Sequence, residues 1–541
     1  MLKVDLQTAY DSIEWVYLEQ VLTLLQFPDV FVKWIMTCLS SVTYSINLNI
    51  SPTPPFDAKR GLRQGDPMSL YLFVLSIEYL NRLFKQLHID RSFKFHPRCA
   101  KMKVIQLSFA DDLLLFSRGD APSVQALFSC FNQFSQASGL QANLQKCSIY
   151  FGGVKQSVQD QILDILKVPK GELPIRYLGV PLSTKRLSIA QCQPLLDKML
   201  GKVTSWTSKF LSYAGRLQLL KAILFSVQTY WSQLFSLPKK ILKIIERICR
   251  TYLWTGDINI SKKALIAWDK LCMPKSVGGM NVINIQVWNK AALCKMLWNL
   301  CRKKDVLWIQ WVHIYYGKTS SLWGLCPKQA CWVIQKILKA KTYIEEVGMT
   351  ETELLAMPKF SIKRMYNKMI GDYEKFRWRS LICNTPGAPK WLFILQLVAH
   401  GRIYTRDRLN KWGMQVDPIC PLCEKEQENI AHLFFRCDIS CYVWAKVLRW
   451  QGINRAPLKW TDELQWCVSR YNGKNSSATI FRISLAAAVY HLWLERNQVA
   501  FHGRRRSNDS LVKLIIQECY VRASMKAKLA SRLTALDWYP R

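Results

Sequence analysis

Two groups of residues in this 541-residue sequence have types and spacings that could do chemistry. The first is Asp111-Asp112, an acid pair inside the apolar stretch from Val104 to Phe116, VIQLSFADDLLLF. Ionised carboxylates beside that much Leu, Ile and Phe are costly to desolvate unless a cation compensates them. Each flanking apolar run has strand length, so the pair is expected near the tip of a hairpin. An Asp-rich turn with solvated carboxylates is the alternative. A lone acid, Asp5, ends a short strand-like run at the start of the sequence. The second group is Cys420, Cys423, His432 and Cys437, spaced C-x2-C-x8-H-x4-C. Four soft ligands at these distances suit a tetrahedral zinc ion, and Pro418 and Pro421 fit a tight turn that aims two thiolates at one point. Cys441 could stand in for Cys437, and four buried or free thiol and imidazole groups are the plain alternative.

The elements around these residues follow from periodicity. After Asp11, Leu18, Val21, Leu22 and Leu25 recur at helical spacing, and Asp11 with Glu14 reads as a capping pair. That gives Asp11 a structural role and leaves Asp5 without one. A second helix is expected over 29–41. In Ala58-Lys-Arg-Gly-Leu-Arg-Gln-Gly-Asp-Pro67, Gly61 and Gly65 permit close backbone approach, and Asp66-Pro67 opens a buried helix reaching Leu87. Arg60, Arg63 and Gln64 then lie on a loop at a helix N-terminus, a favourable place for a phosphate, unless this is only a basic loop with a good cap. Beyond the acid pair come a helix over 124–137 ending at Gly139, a strand-turn-strand over 140–151 carrying Asn143 and Lys146, and one short strand over 177–182. Irregular alternation of this kind argues an α+β sheet domain. From Ile189 the pattern is helical. Leu220, Leu224, Val227, Trp231 and Leu234 form an apolar stripe, followed by Lys239, Lys240, Lys243, Arg247, Arg250, Lys262 and Lys263.

Charge is the strongest global fact. Lys and Arg number 75 against 38 acids, a net of +37. Residues 1–150 hold 14 basic and 12 acidic side chains, and the rest holds 61 and 26. A basic excess of that size, interleaved with 21 Trp and 21 Tyr, points to a phosphate backbone as partner. No basic amphipathic anchor or signal peptide stands out, and no apolar run reads as long and uncharged enough to span a bilayer. Eighteen irregularly scattered cysteines fit reduced thiols, in nucleus and/or cytoplasm, rather than a disulfide scaffold.

Taken together, these stretches resemble the reverse transcriptase of LINE-type non-LTR retrotransposons, in the form common in plants. Val4-Asp5 through Tyr10 and Asp11 looks like the family's first carboxylate motif. Gly61-Leu-Arg-Gln-Gly-Asp-Pro67 resembles its second, and Phe109-Ala-Asp-Asp112 is similar to its catalytic hairpin. Gly139-Leu140 with Asn143 and Lys146 looks like the next motif, and Tyr177-Leu178-Gly179 like the primer-grip strand. Leu211-Ser-Tyr-Ala-Gly-Arg216 resembles the thumb, and Cys420 to Cys437 the zinc-binding region that follows the polymerase. There are departures. Gln7 stands where the family usually has Lys, and Met68-Ser-Leu70 replaces a more usual Leu-Ser-Pro.

The resemblance implies an α+β polymerase palm over 1–188, a thumb-like helical segment over 189–245 and a basic connector over 246–355. A zinc-binding region over 356–450 and a basic helical tail over 451–541 complete the expected order. The upstream fingers, the endonuclease and the ribonuclease H domain of the family are expected to be absent, and primer extension by this chain alone to be weak or nil. The implied reaction is RNA-directed DNA polymerisation. A primer 3′-hydroxyl attacks the α-phosphorus of a deoxynucleotide on an RNA template. Two magnesium ions would be bridged by Asp5 and Asp111 with Asp112 auxiliary. Tyr10 would pack under the sugar, or serve as a core aromatic, or both. Gln64 would hydrogen-bond near the nascent base pair, Arg63 and Gly65 beside it would also bind substrate, and Lys146 would lie toward the triphosphate or pyrophosphate. The alternative function is an inactive retrotransposon remnant that only binds RNA and DNA, chiefly through residues after 190, with steep salt dependence.

Overall fold

The computed structural model describes residues 1–541 except 50, 184–185, 206–210, 260, 262–263, 303–304, 318–322, 325–329, 384 and 537–541, and the side chains of 225–229. Val227 of the apolar stripe and the pair Lys262-Lys263 therefore lie outside the described side chains. The chain divides into two compact units. One is Met1–Ser183 with Gln310–Tyr315, and the other is Thr184–Ile309 with Tyr316–Arg541.

The first unit is α+β. Its strands are β1 (Leu2–Asp5), β2 (Thr43–Tyr44), β3 (Asn47–Leu48), β4 (Ser51–Pro52), β5 (Phe56–Asp57), β6 (Gln106–Phe109), β7 (Asp112–Leu115), β8 (Ser148–Ile149), β9 (Ile175–Tyr177) and β10 (Val180–Leu182). β6, β7, β1 and β8 form one antiparallel sheet in that order, and the others pair off as β2 with β5, β3 with β4, and β9 with β10. Alternation in Leu-Lys-Val-Asp explains β1. Leu2 and Val4 are buried, while Lys3 and Asp5 turn to the other, half-exposed face. In β7, Leu113, Leu114 and Leu115 are all buried, so the middle of the sheet is covered on both faces. The helices Trp15–Leu24, Pro67–Gln86 and Ala121–Ser138 supply Leu18, Leu22, Leu80, Phe84 and Phe134 to the same core. Tyr17 donates its hydroxyl to the Ser76 carbonyl at 2.6 Å, which satisfies the one polar atom that ring carries inward.

Three local expectations are corrected. The first helix begins at Trp15, four residues after Asp11, and its cap residue Glu14 makes no side-chain capping bond. The carbonyls of Tyr10 and Ile13 instead accept from Leu62 N–H at 2.6 Å and Gly61 N–H at 2.8 Å. That tertiary pairing holds 10–13 out of the helix and removes the capping role of Asp11. The strand-turn-strand over 140–151 reduces to β8 and a single bridge between Leu6 and Ala142. β1 is four residues long, so it has little edge left to pair. The stretch 177–182, read as one strand, is the turn and second arm of a hairpin. Leu178 (φ 49°) and Gly179 (φ 75°) form its two-residue loop with both φ positive, the conformation that matches strand twist.

The second unit is helical and is organised on Ser476–His502. This helix does have the length and apolar composition to cross a membrane, which the sequence reading did not credit. In the structure 72% of its apolar window is buried within the protein. It packs on the helices Pro389–Ala399, Asp438–Trp450, Asn508–Ser524 and Ala527–Leu533. Its charges are matched inside the protein. Arg496 is bound to Glu428, the Glu495 carboxylate accepts from Arg506 N–H at 2.6 Å, and Arg482 donates to the Gly473 carbonyl at 2.8 Å.

Gly61 has φ +86°, and a Cβ there would lie 2.7 Å from the Asp11 carbonyl oxygen; Gly65 has φ +90° but open space around it. Gly61→Ala should therefore destabilise the first unit by about 2–3 kcal/mol, combining strain and overpacking, and Gly65→Ala by about 1 kcal/mol from strain alone. Urea unfolding followed by circular dichroism should rank the two variants in that order.

Candidate active site and metal centre

The sheet sets the carboxylates. β1 and β7 pair so that Asp5 lies directly opposite Asp112, with Val4 opposite Leu113 and Leu2 opposite Leu115. Cross-strand partners share a face, so Val4 and Leu2 fix the buried side and thereby place Asp5 and Asp112 together on the other. Asp111 is the second residue of the two-residue turn that joins Phe109 to Asp112, with Ala110 before it at φ 50°. The Asp111 carbonyl accepts from Leu6 N–H at 3.2 Å, which ties the turn to the end of β1, and its side chain is exposed. Asn143 N–H donates to the Asp5 carbonyl at 2.8 Å from the other side.

Two like charges directly opposite in a sheet repel, and two ammonium groups offset this. Lys3 Nζ stands 3.4 Å from the Asp112 carboxylate, and Lys146 Nζ stands 3.9 Å from that of Asp5. The two acids are about a fifth exposed. Lys146 is exposed, in a turn whose amide donates to the Asn143 carbonyl. Lys3 is a residue the motif reading missed, although alternation puts it on the same strand face as Asp5. Hard carboxylate oxygens at a strand end and its adjoining turn, half open to water, fit magnesium, which keeps several waters and binds few carboxylates.

The surrounding residues take distinct places. Tyr10 stacks on Phe73 with ring centroids 4.8 Å apart, and burial followed by the nearby Asp111 carboxylate pushes its phenol up. The ring is thus both packed and turned toward the acid cluster. Gly61 is buried, and its carbonyl accepts from Trp15 Nε1 at 2.8 Å. Arg63, Gln64 and Gly65 are exposed at the start of the Pro67–Gln86 helix. Asp66 caps that helix by accepting from Met68 N–H at 2.9 Å, so this amide is already taken. Pro67 has no amide proton and Ser69 N–H bonds to the Asp66 carbonyl at 3.2 Å, so any phosphate at the loop would rely on Arg63.

In the second unit the structure brings Cys420, Cys423, His432 and Cys437 together, their ligand atoms all within 4.8 Å of one another. Tetrahedral zinc with bonds of roughly 2.3 Å to sulfur and 2.0 Å to nitrogen needs donors about 3.5–3.8 Å apart, so small side-chain shifts suffice. Glu424 at φ 57° turns the chain after the first cysteine pair, and its N–H donates to the Cys420 carbonyl at 2.9 Å. His432 points Nε2 at Cys423 Sγ, 3.3 Å away, while its Nδ1 meets Glu426 Oε2 at 3.1 Å. A carboxylate behind a ligating imidazole fixes its orientation and raises its basicity. The Cys420 thiol is held down to about 5, first by its hydrogen bond with Cys437 and further by the Cys423 and Leu422 amides. Cys437 is pushed up by the same neighbour, because two adjacent thiolates repel without a cation between them. Cys441 lies one helical turn beyond, outside the group, its N–H donating to the Cys437 carbonyl. Elemental analysis should thus find one zinc per chain, with Cys437→Ser losing it and Cys441→Ser retaining it. The reverse pattern would show the fourth ligand to be Cys441.

Two parts of the sequence match known protein families. Residues 1–182 match the reverse transcriptase (RNA-dependent DNA polymerase) family, and residues 360–444 match the family of zinc-binding regions in reverse transcriptases. A "Putative ribonuclease H protein" of Arabidopsis thaliana is 33% identical over 129 residues, 24% of this chain and 21% of that protein. The TX1 transposon's uncharacterized 149 kDa protein of Xenopus laevis is 27% identical over 53% of this chain and 21% of its own length. The Pol polyprotein of a type-2 retrotransposable element of Drosophila melanogaster is 25% identical over 60% and 30% respectively. The chain thus spans between about a fifth and a third of the curated relatives it matches. Residues 1–182 thus carry a reverse transcriptase domain, and residues 360–444 behind it a zinc-binding region of the kind found in reverse transcriptases.

Proposed function

We propose that the chain is the RNA-directed DNA polymerase portion of a plant LINE-type non-LTR retrotransposon, extending a DNA primer on an RNA template with deoxynucleotides. The observation that carries this reading is the β1–β7 register, which sets Asp5 opposite Asp112 with Asp111 in the adjoining turn. Magnesium ions held by Asp5 and Asp111 would supply the activation of the 3′-hydroxyl and the neutralisation of the leaving pyrophosphate. The chain's own side chains do the positioning. Asp112 balances Lys3 and holds the hairpin tip against β1. Tyr10, fixed by its stack on Phe73, stands where the resembled family places the ring that packs under the sugar of the incoming nucleotide and excludes a 2′-hydroxyl. Gln64 and Gly65 lie along the nascent base pair, and Arg63 and Lys146 attract the triphosphate.

In this reading residues 1–188 are the palm, 189–245 a thumb-like segment and 246–355 a basic connector. Residues 356–450 hold zinc, and 451–541 form the basic tail. The net positive charge after residue 150 serves template and primer. The described cysteines are free thiols, which fits a reducing compartment, nucleus and/or cytoplasm. A second reading, binding without chemistry, is favoured by Gln7, which stands where the resembled family usually carries a lysine.

Primer extension on a poly(rA)–oligo(dT) duplex with magnesium separates the two. If the chain is a polymerase, Asp111→Ala with Asp112→Ala removes at least 100-fold of the extension and leaves duplex affinity within about twofold, because those carboxylates hold metal and not phosphate. If it only binds, neither protein extends, and both lose affinity equally steeply with salt. Extension that survives the double substitution would remove the carboxylates from the mechanism.

A further inference from the structure

Beside the zinc-binding segment lies a cleft that the polymerase chemistry does not use. It is lined by Gly401, Asp407, Arg408, Lys411, Trp412 and the segment 429–431. Trp412 is 49% exposed, an unusual position for so large a ring. It is also held in place. Tyr404 packs edge-on at 5.5 Å, and the Arg408 guanidinium lies 4.9 Å from the ring centroid. Arg408 is in turn anchored by a hydrogen bond to the Gly401 carbonyl. Ile430 and Ala431 give the cleft an apolar side, from the short helix that carries His432.

The polar groups of the cleft are as informative as the ring. Asp407 Oδ1 is buried and has no hydrogen-bond partner among the described residues, while Oδ2 sits 3.9 Å from Lys411 Nζ. With Oδ1 closed to solvent and the side chain about a third exposed, Oδ2 is the acceptor that Asp407 offers to the cleft. Lys411 is largely exposed, and Arg402, also exposed, lies close enough to hold the Arg408 guanidinium below its ordinary value after burial has done so first.

From these observations we infer that the cleft binds one unpaired base of single-stranded nucleic acid, stacked on Trp412. An amino group of that base donates to Asp407 on its exposed side, at Oδ2, and its phosphate lies toward Lys411. A half-exposed flat ring, backed on one face by the Arg408 guanidinium, and the exposed Lys411 in the same cleft are the parts that stacking recognition of single strands requires. The carboxylate acceptor adds a preference. Adenine and cytosine present an amino group, whereas uracil places carbonyl oxygens on both sides of its single N–H, so the cleft favours the amino-bearing bases. The inference rests on the proposed nucleic-acid-binding function and adds a site remote in sequence from the Asp5, Asp111 and Asp112 cluster.

The test is fluorescence anisotropy of the full chain with labelled rA10, rC10 and rU10 and a ten-base-pair RNA duplex, at about 150 mM salt. Wild-type protein is expected to bind rA10 and rC10 more tightly than rU10. Trp412→Ala should weaken rA10 binding by about tenfold and leave duplex binding within twofold, since stacking of one base is worth about that factor. Trp412→Phe should recover most of the loss, and Asp407→Asn should erase the preference over rU10, because an amide offers either a donor or an acceptor. Zinc content and circular dichroism equal to wild type would show that the variants are folded. Unchanged rA10 binding by a folded Trp412→Ala protein overturns the inference alone. A Trp412→Ala protein that binds RNA normally but sediments as a smaller species also overturns it and assigns the face to a protein partner. Failure of the wild-type chain to bind any of these nucleic acids overturns both this site and the function on which it rests.

Discussion

Two carboxylates directly across a strand pair are an unfavourable arrangement, and the first unit is built to enforce it. Nothing local makes Asp5 and Asp112 neighbours; they sit 107 positions apart in the chain. What enforces the pairing is the opposite face of the same strands, where Leu2, Val4, Leu113 and Leu115 enter the core. A one-residue slip of β1 would send Leu2 and Val4 to the half-exposed side and bury Lys3 and Asp5 instead. Burying Leu2 and Val4 alone is worth roughly 3–6 kcal/mol, of the same order as the bare repulsion of about 4 kcal/mol between two charges near 4 Å at intermediate dielectric, and Leu113 and Leu115 add to the apolar side. The register is therefore decided by the apolar face, and the chemical face inherits it. Lys3 and Lys146 reduce the residual repulsion, and both are cations that a divalent ion would release.

The second unit meets the opposite problem, a charge pair wholly inside. The Glu428 carboxylate accepts from Arg496 Nε and Nη2, each at 2.6 Å, and from Arg406 N–H at 2.7 Å, and neither charged side chain reaches solvent appreciably. Such a pair adds little net stability against an apolar replacement, but losing one partner costs about 3–5 kcal/mol. Its value here is positional. Glu428 precedes the ligand His432 by four residues, so the bidentate contact fixes the zinc-binding segment on the long Ser476–His502 helix. The apolar faces of that helix would accept many rotational settings; a buried guanidinium with one matching carboxylate accepts one. Zinc ligation, at about 10–16 kcal/mol in isolated zinc modules, would stabilise the fold of the segment, and the ion pair fixes where it docks.

Legibility of the candidate sites followed the range of the interactions. The zinc ligands were readable because 18 consecutive residues contain them all, and C-x2-C spacing is itself a turn constraint. The hairpin tip was readable because two apolar runs flank a short polar break. Lys3 was passed over because a motif names its acids and not the cation beside them. The cleft around Trp412 had no sequence signal, since its walls come from 401–412 and 429–431 on either side of the first cysteine pair.

By itself the sequence determined element types where periodicity was strong: the Pro67–Gln86 helix with its Asp66 cap, the helix ending at Gly139, and the helical character after Ile189. It also determined the charge asymmetry and the order of motifs, because composition and spacing do not depend on folding. The tertiary structure decided where 10–13 go, since backbone carbonyls captured by Gly61 and Leu62 outweigh a capping pair. It decided that 177–182 turns back on 175–177 as a hairpin, and that an apolar 27-residue helix is a core rather than a span. It alone set Asp5 against Asp112. Pairing register between distant strands is chosen by which apolar side chains can be buried together, and that is a property of the assembled core and not of any window of sequence.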